Sequence, residues 1–363
     1  MFRIQDSVSP VPAPPEPTPV SAPVAPAAQR PQLWIAIAAL GFAVCSISLS
    51  ALLVRFSERE ISAYATAFDR FWITTLVMGS WSGLRLWRDR QMARPGESAA
   101  PPQTNPLNLS NPSPSRLSQS GLLLAAGTCL AADLLLWAWS LTQTSVANAT
   151  LLANLTPVFA CLGSWLLWNK CFDQRFLLGI AIATGGTCVL GLEDWHLAAF
   201  RLQGDLAALF AALCFSIYLL ILERLQTNLR LDTIVLWSSA IAGILTVPFV
   251  LLSHAPFLPV SWQGWTAVIA LALVCQVVGQ GLLVYSLNRL SAEFVAIVLL
   301  LDPLLAALGA WMFFSERLSI LGWMAFLVIL LGIYLASVSQ SAIKPKATDS
   351  PAPPTNELEA FSS

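Results

Sequence analysis

Charged residues are scarce in this sequence, 11% of 363 with a formal net charge of -1, where a soluble domain carries roughly a quarter. Those present sit between apolar runs and form no patch, which argues against a nucleic-acid partner. Histidine is scarcer still. His196 and His254 lie far apart in segments between apolar runs, so neither a metal centre nor a serine–histidine pair inside a membrane has a candidate. The seven cysteines are scattered without a CxxC pair, which suits apolar packing and neither metal ligation nor a disulfide framework. Ser80-Trp81-Ser82-Gly83 lacks the leading glycine of a GxSG serine site. No catalytic residue, metal or cofactor is therefore expected, and a membrane-embedded enzyme is disfavoured. The first thirty residues also lack a charged-then-apolar onset, so no cleavable signal peptide is expected.

What the sequence has in quantity is hydrophobicity: 56% of residues, with a mean hydropathy of +0.68. This predicts an all-α membrane protein, because about 20 apolar residues at 1.5 Å rise cross ~30 Å of hydrocarbon. Ten spans are expected, at residues 33–54, 63–86, 121–141, 147–168, 176–192, 206–222, 234–252, 267–287, 294–314 and 320–338. The proline-rich residues 1–32 and the polar residues 339–363 cannot bury a core and are expected to be disordered tails.

The chain repeats itself. Residues 150–168, TLLANLTPVFACLGSWLLW, and 296–314, AIVLLLDPLLAALGAWMFF, superpose at a shift of 146, which places Pro157 on Pro303, Gly163 on Gly309 and Trp165 on Trp311. Earlier in each half the shift is 173, with Phe42 on Phe215; 173 less 146 leaves 27 extra residues, which the loop 87–118 alone can absorb. The halves are therefore residues 33–192, with that inserted loop, and 204–338. With the amino terminus inside, lysine and arginine divide fourteen to four in favour of the inner side, which predicts two cytoplasmic termini in a plasma (inner) membrane. Five spans per half is an odd number, so the halves must be inserted in opposite senses as an inverted-topology repeat.

A proline inside a helix frees the carbonyl four residues back, here those of Ala153 and Leu299, and in hydrocarbon each needs a partner. Matching helix breaks in two halves point to a transporter's midplane site; the plain alternative is a pair of tolerated kinks with a packing role. Ionisable groups at depth cost on the order of 2.5–3.5 kcal/mol each on insertion scales. Asp133 and Asp302 are candidates to bind a substrate amine or carry a coupling proton, or else are protonated acids bonded between helices. Arg70, roughly 10 Å into its span, either binds an anionic group or serves structurally, reaching headgroups or pairing with a carboxylate; the structural role is preferred. The uncharged polar set is Asn148, Asn154, Thr156, Tyr218, Gln276 and Gln280, with Trp137, Trp139 and Tyr285 as aromatic walls. Asparagine and glutamine also serve as glue between helices. Gly79 and Gly83 form a GxxxG whose first meaning is close packing within the bundle and whose second is a homodimer contact. The partners expected are the lipid bilayer and a small-molecule substrate, bound among spans three, four, eight and nine.

The stretch from Trp139, WSLTQTSVANATLLANLTPVFACLGSWLLW, its partner from Tyr285, YSLNRLSAEFVAIVLLLDPLLAALGAWMFFSERL, the Phe68-Asp69-Arg70-Phe71 run and the GDLAALFAALCFSIYLL opening from Gly204 resemble the drug/metabolite transporter superfamily, specifically its EamA-type members. The resemblance implies a ten-helix inverted-repeat fold and secondary transport of small metabolites, frequently export. The expected activity is therefore export of small polar metabolites, such as amino acids or related compounds, by alternating access. The alternatives are a membrane-embedded enzyme and a non-transporting scaffold, and a scaffold has no need of buried acids in a duplicated core. One departure stands out. Similar proteins carry a glutamate just after the proline helix in both halves, and here Glu316 has it whereas the first half has Asn169-Lys170.

Overall fold

The computed structural model describes residues 30–92, 116–144, 146–191, 202–253, 256–314 and 320–343. Most of both tails, residues 93–115 of the inserted loop, His196, His254 and Glu316 lie outside the described residues. Apolar sequence with no water to bond must satisfy its backbone internally, and a helix does this segment by segment. The first half comprises α1 (Arg30–Ser57), α2 (Ala63–Met92), α3 (Arg116–Gln143), the pair α4 (Val146–Ala153) and α5 (Thr156–Trp168), and α6 (Gln174–Gly191). The second comprises α7 (Leu202–Leu225), α8 (Leu231–Leu252), the run α9 (Trp262–Ala270), a π-helix at Leu271–Gln280 and α10 (Gly281–Ser286), the pair α11 (Ala292–Leu299) and α12 (Asp302–Phe314), and α13 (Ile320–Ser337). Several buried hydroxyls turn back onto the helix that carries them: Ser48 donates to the Val44 carbonyl at 2.8 Å and Ser238 to that of Ile234 at 2.7 Å, which satisfies them within the segment.

Among the described residues, eight of the ten helical rods are long and apolar enough to cross a membrane. The other two are α2, which carries Asp69, Arg70 and the charged run from Arg85 to Arg90, and the 18-residue α6. One face of the bundle gathers both described ends: Arg289 bonds Gln32, and Leu290 bridges Ile343. The opposite face holds the α1–α2 and α8–α9 turns, joined where Glu60 accepts the backbone N–H groups of Val260 at 3.1 Å and Ser261 at 3.0 Å. Helix pairing obeys a two-fold exchange of the halves. α3 packs on α7 as α1 packs on the π-helix; the α4–α5 pair meets α7 as α11–α12 meets α1; and α2 with α8, and α6 with α13, pair with their own counterparts. This is an all-α membrane fold of two repeats.

The α6–α13 seam is built on small residues. A Cβ added at Gly332 would lie 2.5 Å from the Ala183 nitrogen, and one at Gly179 2.7 Å from the Gly332 oxygen, so the backbones touch as small-residue membrane seams require. Gly332→Leu should cost about 1–3 kcal/mol of overpacking and lower the unfolding temperature of the detergent-solubilised protein. Gly41→Ala, in open space, serves as the control, and equal melting of the two variants would refute the seam. The GxxxG at Gly79 and Gly83 does not pack closely. A Cβ at Gly79 would meet Leu236 only at an ordinary 3.7 Å and one at Gly83 would meet nothing within 4 Å.

Two expected boundaries move. Helix α2 continues to Met92 and α3 begins at Arg116, so both ends of the inserted loop are helical extensions. Residues 339–343 belong to the fold and not to a disordered tail: Ser339 and Ser341 donate hydroxyls to Asp173, the latter at 2.8 Å, and the Ala342 carbonyl accepts from the Ser291 nitrogen at 3.0 Å. Polar composition concealed this, since the residues dock through hydrogen bonds. The Ser339 hydroxyl, followed by that of Ser341, holds the Asp173 carboxyl below its ordinary 3.8. A depressed folded pKa stabilises above the unfolded value and is lost as pH falls through the folded one. Protection of the 339–343 amides, taken relative to their intrinsic exchange rate, should therefore hold above pH 4 and fall as the pH drops further below the ordinary 3.8; protection unchanged down to pH 2.5 would contradict the docking.

Candidate functional site

The two proline helices are not continuous rods with a kink. In the first half α4 stops at Ala153 and α5 restarts at Thr156; in the second α11 stops at Leu299 and α12 restarts at Asp302, both at the shift of 146. Each proline thus occupies the first turn of a new helix, where its missing N–H costs nothing. Thr156 supplies the partner that the first break requires, donating its hydroxyl to the Ala153 carbonyl at 2.8 Å. Asp302 occupies the corresponding place, putting a carboxyl at the positive end of α12.

The breaks face one another across a central cavity of about 210 Å³, room for roughly seven waters at ~30 Å³ each. Asp133 and Trp137 line it from α3, Asn154 and Thr156 from the first break, Asp302 from the second, Gln280 from the π-helix and Arg70 from α2. The α1 residues Ile47 and Ser50 and the α7 residues Ala212 and Phe215 complete the wall. The lining thus comes from spans three, four, eight and nine, and also from one, two and six. Arg70 directs its guanidinium inward and not to headgroups: Nε donates to Gln276 Oε1 at 2.8 Å, and the group lies within electrostatic range of both Asp133 and Asp302. Ser48 stands beside the Asp302 carboxyl, whose Oδ1 is buried without a hydrogen-bond partner.

Tyr218 and Gln276 lie behind the cavity. The tyrosine, 1% exposed, donates to Gln280 Oε1 at 3.3 Å, and Gln276 holds Arg70. Both glutamines project from the π-helix, a rare form found mostly at functional sites. Trp139 and Tyr285 are not walls of this cavity; they line separate surface recesses. Asn148 sits at the start of α4, donating to Thr144 at 3.5 Å.

A second polar cluster closes the face that gathers the described ends. Asn169 ends α5 in the left-handed conformation, φ 49°, and so turns Lys170 toward the other half. There Lys170 Nζ meets both oxygens of Glu293, at 3.0 and 2.9 Å, and Ser164 donates to the same carboxylate. Glu293 is fully buried at the second position of α11, in its first turn. Lys170 stands 146 residues before Glu316, so the first half carries the opposite charge at the matching place of the repeat, and its partner comes from the opposite repeat. On the other face Thr144 donates to Asp205 at 2.7 Å, again between halves. Sequence inspection missed Glu293, Ser164 and the π-helix. It also passed over Asp69 as a ligand of Trp72, whose indole donates to it at 3.0 Å.

The sequence matches the profile of the EamA-like transporter family over residues 32–192 and 202–338. An uncharacterized transporter from Archaeoglobus fulgidus is 24% identical over 296 residues, spanning 80% of this chain and 93% of that protein. One from Synechocystis is 33% identical over 217 residues, or 54% and 65% respectively. A solved crystal structure with 18% identity superposes with a TM-score of 0.66 over 84% of this chain and 96% of its own, a likeness of fold. These relatives point to transport and not to catalysis. With its broken helices converging on one polar cavity, the chain belongs to the EamA-like transporter family and is an integral multi-pass membrane transporter.

Proposed function

We propose that this transporter is a secondary active exporter of small polar metabolites, amino acids or related compounds, and that it works by alternating access. The observation that carries the proposal is the meeting of two symmetric helix breaks at a cavity holding one guanidinium and two carboxyls. Such a site matches a zwitterion: Arg70 takes its carboxylate, and Asp133 or Asp302 takes its ammonium, while Trp137, Leu134 and Phe215 cover the carbon skeleton. Asp133 and Asp302 are also the groups placed to carry a coupling proton. Rocking of one half against the other breaks the Lys170–Glu293 pair on one face and the Glu60–Ser261 and Thr144–Asp205 links on the other, in turn. In this proposal the face that gathers the described ends, where Arg289 bonds Gln32 and Leu290 bridges Ile343, is the cytoplasmic side of the plasma membrane.

The test compares amino acids and related metabolites released by cells with and without the protein, followed by uptake of the released compound into proteoliposomes. Saturable, protein-dependent movement of a small zwitterion supports the proposal. Equal release in both cell types, with no uptake by the reconstituted protein, would sink it.

A further inference from the structure

A larger recess lies away from the central cavity, and transport through that cavity makes no use of it. Helix α2 touches the π-helix near the middle of the bundle, where Thr74 reaches the Ala272 carbonyl at 3.4 Å. Beyond that point the walls part around a lateral cavity of about 960 Å³. It is floored by the start of α8 and lies toward the face that gathers the described ends.

Its chemistry is graded along its length. The inner end is apolar, lined by Leu76, Val77 and Val277; the outer end carries Arg85, Arg230 and Tyr285. Leu76 and Arg85 are nine residues apart on α2, roughly 13 Å by helical rise, about half a hydrocarbon core deep. At the outer end Arg85 and Arg230 share one acid, Asp232, at 3.1 and 3.4 Å, and remain 46% and 60% exposed. Two guanidinium groups against one carboxylate leave a net positive charge at headgroup depth, flanked by the exposed Trp81, in keeping with an interfacial aromatic belt.

We propose that this recess is a binding site for an anionic phospholipid, with an acyl chain lying along α2 and the phosphate held between Arg230 and Arg85. The charge selects the headgroup: basic pockets between membrane helices suit anionic lipids. An apolar trench open to the side and charged at only one end suits a two-part ligand better than a second protein surface.

The test is native mass spectrometry of the full-length protein in detergent, titrated with phosphatidylglycerol or phosphatidylcholine. Phosphatidylglycerol should bind more tightly. Arg230→Gln, which leaves the Arg85–Asp232 pair intact, should weaken it about fivefold without changing phosphatidylcholine binding. Val77→Trp, which fills the trench and keeps the charges, should weaken both lipids. Millimolar inorganic phosphate should not compete. Equal affinity for the two lipids, competition by free phosphate, indifference to both substitutions, or a dimer mass that excludes lipid would each overturn the proposal. These readouts do not depend on transport, so failure of the export test leaves them standing.

Discussion

Lys170→Ala should cost about 3–5 kcal/mol, among the largest losses available from one substitution in this protein. The reason is the inequality between the two partners. Glu293 is fully buried, whereas the lysine side chain is 24% exposed, so removing the lysine strands a carboxylate with only Ser164 beside it. Glu293→Ala should cost less, because the lysine left behind can reach water. Replacing both, as Lys170→Met with Glu293→Leu, should recover most of the loss, since an apolar pair avoids desolvating two charges. Thermal unfolding of the parent, Lys170→Met, Glu293→Leu and the variant carrying both closes the cycle. If the two single losses simply add in the double variant, the pair is not an interacting unit.

Substitutions at the central cavity should spare stability and weaken transport. Losing a charge-assisted hydrogen bond is worth about 1.5–3 kcal/mol, so Arg70→Gln and Asp302→Asn should each raise the substrate concentration for half-maximal uptake roughly 10- to 150-fold. Asp133→Asn, beside the same guanidinium, should act likewise. Uptake measured with and without a pH gradient separates the roles. A group that only binds substrate changes affinity and leaves the gradient's effect intact, whereas a proton carrier loses the gradient's effect. Unchanged uptake and unchanged proton dependence in both aspartate variants would remove them from the mechanism.

The sequence revealed those elements whose signal is local or repeated. Long apolar runs marked the rods, and the 146-residue echo marked both breaks, because a proline and its neighbours recur at a fixed spacing. The polar set near the breaks was legible for the same reason: a lone polar residue stands out in an apolar run. Which side of a helix looks inward was not legible. Rods that are apolar all round carry no amphipathic stripe, so Trp139 and Tyr285 could not be told from Trp137. Nor could Lys170 and Glu293 be paired, since 123 residues and the exchange of halves separate them. The π-helix has no compositional mark: LALVCQVVGQ would serve equally as α-helix.

The π-helix also sets an angle. In an α-helix each residue turns the chain by about 100°, so tightening these ten residues to α spacing would swing Gln280 around the axis by that step for each residue absorbed. The swing would take it away from Tyr218 and from the wall it completes, and would also turn Gln276, midway along the same run, relative to Arg70. One wall of the central cavity is therefore tied to the pitch of a helix that carries no charge of its own.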